Sequence, residues 1–61
     1  MSLRISAAQS LLETSDHNVS EISELVGYDN PLYFSRLFHK QTGMSPSDFR
    51  RQLQAWNEEN P

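Results

Sequence analysis

The sequence predicts an all-α fold, a small bundle of about four helices, on three observations. Helix starts and stops recur along it: Asn18, Asn30-Pro31 and Ser45-Pro46 open segments, while Gly27 and Gly43 close them. Between those marks apolar residues return at three- and four-residue spacing, the period of a helix with one buried face. Finally, 61 residues without cysteine make one domain at most, near the size where a single core is marginal and no disulfide assists it.

Met1-Ser2-Leu3 reads as a start appended to a fragment, so the first helix is expected over residues 4–14. There Ile5, Ala8, Leu11 and Leu12 line one face, with neither Gly nor Pro to interrupt it. Thr14-Ser15-Asp16-His17 is a polar break. Asn18 then caps a second helix, and Glu21 three residues on completes a capping-box pair. Val19, Ile22, Ser23 and Val26 share its face, with Ser23 small where another helix must approach closely. Gly27 ends it, and Tyr28-Asp29 carries the chain to the next cap.

The third helix, about 31–42, is the stretch the rest serves. Asn30 caps it, Pro31 takes the first position, and Gly43 supplies the left-handed residue that stops it. Phe34, Leu37, Phe38 and Gln41 form the face to be buried; Leu32, Arg36 and His39 form the opposite face, with Ser35, Tyr33 and Lys40 beside it. Two short helices joined by a Gly-containing turn are the sequence form of a helix-turn-helix. A fourth helix opens at Ser45-Pro46, with Asp48 as the reciprocal acid of a second capping box. It runs through Phe49, Leu53 and Trp56, the last expected to pack on the first helix, and should fray over 57–61, where Glu58 and Glu59 meet the wrong end of the dipole. The expected core is Leu12, Ile22, Val26, Phe34, Phe38 and Phe49.

The net charge of −3 hides a split. Glu13, Asp16, Glu21, Glu24 and Asp29 crowd residues 13–29 without one Lys or Arg, whereas Arg36, Lys40, Arg50 and Arg51 face only Asp48 in residues 30–53. A polyanion responds to that second field rather than to the total. No apolar run nears the roughly 18 residues of a membrane span, and no signal-peptide pattern opens the chain, so a cytoplasmic setting is expected. His17 and His39 share no metal-ligand spacing, and so small a helical domain offers no pocket to preorganise a catalytic set. No enzyme, metal or cofactor is expected.

Ala8-x-x-Leu11-Leu12, Ile22-Ser23-x-x-Val26-Gly27-Tyr28, Tyr33-Phe34-Ser35-Arg36-x-Phe38 and Gly43-x-Ser45-Pro46-x-x-Phe49-Arg50 together resemble the AraC/XylS family of bacterial transcriptional regulators. The match spans roughly residues 4–51 and looks like the second, C-terminal helix-turn-helix of that family's DNA-binding region, a homeodomain-like subdomain. The resemblance implies that residues 4–14 are the end of a helix joining two such subdomains. It implies too that the first subdomain and an effector domain are partners outside this chain. Two positions depart from the family pattern: Ser23 stands where Ala is common, and Pro31-Leu32 where many members place polar base-reading residues.

In this reading the third helix enters the DNA major groove with its N-terminal part against base edges. Arg36 can donate a bidentate pair to guanine, Ser35 can reach base or phosphate, and Leu32 with Pro31 can meet a thymine methyl. Asn30, His39, Lys40, Arg50 and Arg51 are the phosphate candidates, with helix-start amides at Asn18 or Asn30 as further anion donors. Simpler roles compete: Arg50 as half of a structural ion pair with an acid, His39 as a solvated histidine, Tyr33 as packing. A different class of function also fits, a helical interaction module docking a basic partner through residues 13–29, for instance a surface of RNA polymerase.

Overall fold

Each helix begins where a side chain can take an amide that the first turn leaves without a partner. The computed structural model describes residues 2–59, with side chains through Ala55, as α1 (Leu3–Thr14), α2 (Val19–Leu25), α3 (Pro31–Thr42) and α4 (Pro46–Glu59). α1 starts one residue earlier than expected, because Ser2 is its cap: Ser2 Oγ accepts from the Ile5 amide at 3.2 Å. The Ser2 amide in turn donates to Gln41 Oε1 on α3 at 3.0 Å. That bond explains Gln41, which the helical period places on the buried face and which is exposed.

The capping box at α2 is complete. Asn18 Oδ1 accepts from the Glu21 amide at 2.8 Å, and Glu21 Oε1 accepts from the Asn18 amide at 2.9 Å. At α4 only half forms. Ser45 Oγ accepts from the Asp48 amide at 3.1 Å, but the Asp48 carboxylate pairs instead with Arg51, 3.4 Å away. Aspartate is one methylene shorter than glutamate, and here the basic neighbour one turn on takes its carboxylate. α2 ends in a Schellman turn: Tyr28 N–H reaches the Ser23 carbonyl at 2.9 Å and Gly27 N–H the Glu24 carbonyl at 3.0 Å, with Gly27 at φ +99°. The same left-handed geometry at Gly43, φ +84°, closes α3.

Ile5, Ala8, Leu12, Ile22, Val26, Phe34 and Phe38 form one buried core drawn from α1, α2 and α3 and from the turn after α2. Aromatic rings thread it: Tyr28 to Phe34 at 5.7 Å, Phe34 to Phe38 at 5.9 Å, and Phe38 to Phe49 edge-on at 5.6 Å. Phe49, expected inside the core, is half-buried and packs against its rim, edge-on to Phe38. Pro46, at the start of α4, is fully buried. α4 continues to Glu59. The Trp56 side chain, Asn60 and Pro61 lie outside the described residues, and with them the expected packing of Trp56 on α1. Among the described residues no helix is long and apolar enough to cross a membrane.

Candidate nucleic-acid interface

α3 is set at its start by one side chain and on its back by two. Asn30 Oδ1 accepts from the Leu32 and Tyr33 amides at 2.9 and 3.3 Å. Its oxygen is spent on its own helix. Phe34 and Phe38 are fully buried, which fixes the roll of α3 about its axis. The opposite face is therefore presented outward: Leu32, Tyr33, Arg36, His39 and Lys40 are all exposed, Ser35 is half-buried on the flank, and Pro31 is exposed at the first position of the helix. Leu32 keeps 61% of its surface in water and Tyr33 56%, large values for apolar side chains at a helix start. Arg36 and Lys40 pair with no acid among the described residues, so their charge faces solvent.

The remaining cations divide. Arg51 is exposed and pairs with Asp48. Arg50 is half-buried, and in place of the expected ion pair its guanidinium donates to three backbone carbonyls: Leu12 at 3.2 Å, Ser15 at 3.0 Å and His17 at 2.6 Å. The reason is geometric. α1 ends with unpaired carbonyls and the chain turns back at once, so several oxygens converge where a forked donor can collect them. The structure thus brings Leu32, Arg36, His39 and Lys40 onto one exposed face, with Ser35 at its edge, leaves Pro31 exposed at the helix start on the side of Phe34 and Phe38, and commits Asn30 and Arg50 to internal bonds.

Ser23 has a role that spacing alone does not give. It is fully buried, and its hydroxyl donates to the Tyr28 carbonyl at 2.9 Å, stitching the turn between α2 and α3. Arg4 was legible only as a charge, yet it reaches the same turn: Nη1 lies 3.4 Å from the Gly27 carbonyl and the guanidinium 5.3 Å from the Tyr28 ring centre. His17 Nδ1 lies 3.7 Å from Glu21 Oε2, and these two with Glu24 and Leu25 line an open surface dent. Among the described residues no three His, Asp or Glu side chains converge as a metal site.

A family profile described as a helix-turn-helix domain matches residues 1–52. The chain is 47% identical over 51 residues to the MmsAB operon regulatory protein of Pseudomonas aeruginosa, covering 84% of this chain and 17% of that protein. It is 51% identical over 47 residues to the Arabinose operon regulatory protein of Escherichia coli, covering 77% of this chain and 16% of that one. With the HTH-type transcriptional activator RhaR of Yersinia pestis it shares 36% over 51 residues, 84% of this chain and 18% of the relative. The matched region therefore spans about a sixth of each of these relatives. No solved structure matches the chain.

Proposed function

The chain belongs to the helix-turn-helix domains of AraC-family transcriptional regulators, DNA-binding modules rather than enzymes, and from that premise we propose that α3 is its reading helix, entered N-terminus first into the major groove of duplex DNA. The observation that carries this reading is the outward face of α3. It offers Leu32, Arg36 and Lys40 to solvent, held in fixed roll by buried Phe34 and Phe38. A groove about 12 Å wide accepts one helix. Pro31, Leu32, Ser35 and Arg36 then face base edges, with Arg36 the guanine donor. Lys40, His39 and Arg51 face phosphates, and the capped amides at Asn30 add dipole attraction for one more. Arg50 serves by holding the bundle, with its two remaining N–H groups free to approach the backbone of the DNA.

We assign the chain to the second, C-terminal helix-turn-helix of a longer cytoplasmic regulator, with α1 as the end of the helix that joins the two. The acidic stretch 13–29 carries no Lys or Arg of its own and keeps Leu25 59% exposed beside Glu21 and Glu24. That favours a second contact, with a basic surface of RNA polymerase, in a protein that acts as an activator, as the relative RhaR is named. The direct test is to titrate isotopically labelled chain with duplex DNA and follow its amides. The largest shifts are expected at 31–36 and around Lys40, and they should fade steeply with salt. Shifts centred on 13–25 with α3 silent would overturn the proposal.

A further inference from the structure

We propose that Arg4 is a positioning residue for the reading helix, holding from across the bundle the turn that launches α3; the proposal rests on the reading of α3 just given. Arg4 stands in the first turn of α1, 23 residues from Gly27. Its guanidinium grips the turn twice, through the Gly27 carbonyl at 3.4 Å and through the Tyr28 ring at 5.3 Å, within cation–π range. Tyr28 passes the contact forward. Its ring lies 5.9 Å from Tyr33 and 5.7 Å from Phe34, both near the start of α3. Gly27 is part of the device, since a Cβ there would stand 3.3 Å from the Arg4 guanidinium carbon, tight enough that the guanidinium must give by a few tenths of an ångström.

The remaining bonds of the turn are local to α2, α3 and the turn itself. Schellman bonds hold its α2 side, the Asn30 cap holds its α3 side, and the Ser23 hydroxyl holds the Tyr28 carbonyl. Arg4 adds a tie to α1, so the angle at which α3 leaves α2 is referred to a third helix. A small rotation at this turn moves Leu32 and Arg36, and base recognition tolerates little misplacement. Arg4 thereby influences what α3 reads without touching DNA.

The experiment compares the parent chain with Arg4→Ala, Arg4→Lys and Tyr28→Leu by amide hydrogen exchange. It adds salt-series titration of each against duplexes differing at single base pairs. Arg4→Ala should speed exchange at the Tyr28, Leu32 and Tyr33 amides about two- to fivefold, the worth of an exposed cation–π contact, and leave Phe38 unchanged. It should blunt discrimination among duplexes while keeping the slope of log K against log salt. Arg4→Lys should recover most of both effects, because an ammonium still sits over the ring, and Tyr28→Leu should reproduce the loss. Unchanged exchange at the three turn amides overturns the proposal, as does equal acceleration at Phe38, which would make Arg4 a general stabiliser. A salt slope flattened by about one also overturns it, since Arg4 would then be a phosphate ligand. A parent chain that binds no duplex would overturn the reading of α3 and the DNA half of this proposal with it; the exchange measurement judges the Arg4 tie by itself.

Discussion

Arg50 Nε donates to the Leu12 carbonyl at 3.2 Å across 38 residues of sequence, and the same guanidinium takes the Ser15 and His17 carbonyls. One side chain from α4 therefore closes the end of α1 and fixes the loop that delivers Asn18 to its capping position. That loop has no apolar residue of its own between Thr14 and Asn18.

Arg50→Ala should accordingly destabilise the chain by about 2–3 kcal/mol, because three carbonyls lose a charged donor at once. Urea denaturation followed by circular dichroism checks this. A loss below about 0.5 kcal/mol, the range of an ordinary surface substitution, would mean that the three bonds contribute little.

Phe38 lies at the centre of the aromatic thread, fully buried between Phe34 and Phe49. Phe38→Ala should cost about 3–5 kcal/mol, comparable to the whole stability of so small a domain. The variant is expected to lose its cooperative melting transition at room temperature, and a melt close to the parent's would contradict the core assignment.

The two glycines should respond unequally to alanine. Both have positive φ, +99° at Gly27 and +84° at Gly43, so each substitution meets a conformational penalty of about 1–2 kcal/mol. At Gly43 a Cβ enters open space, whereas at Gly27 it crowds the Arg4 guanidinium at 3.3 Å. Gly27→Ala should therefore lower the denaturation midpoint further than Gly43→Ala; equal losses would show that Arg4 yields freely.

Helix positions and the buried faces of α2 and α3 were legible in the sequence because caps, stops and period agree there. Asn18, Glu21, Asn30, Pro31 and Gly43 each do locally what their residue type favours. What was not legible depends on contacts between distant segments. No local pattern states that Ser2 donates to Gln41, that Arg4 covers Gly27, or that Arg50 gathers carbonyls rather than a carboxylate. Asp48 shows the limit even of local rules, since a neighbouring Arg51 diverted it from the cap. In the candidate interface, the face of α3 and the cap at Asn30 followed from period and residue type, while the commitment of Arg50 to backbone carbonyls depends on segments far apart in sequence.

Lys40 is exposed one turn beyond Arg36 and pairs with no acid among the described residues. Lys40→Ala should weaken binding to all duplexes alike and reduce the slope of log K against log salt by about one, the signature of one lost phosphate contact. Weakening confined to particular base pairs would place Lys40 against bases instead.

The account turns on Arg36, which lies on the outward face of α3 opposite Phe34 and Phe38 and pairs with no acid among the described residues. The decisive measurement is the affinity of Arg36→Ala, in a protein carrying both helix-turn-helix subdomains, for a panel of operators altered one base pair at a time. A loss of about 1–3 kcal/mol with preference relaxed at a single base pair is expected, at unchanged thermal stability. If the variant loses affinity equally for every operator, Arg36 grips phosphate and α3 does not dock as the reading helix in the way described.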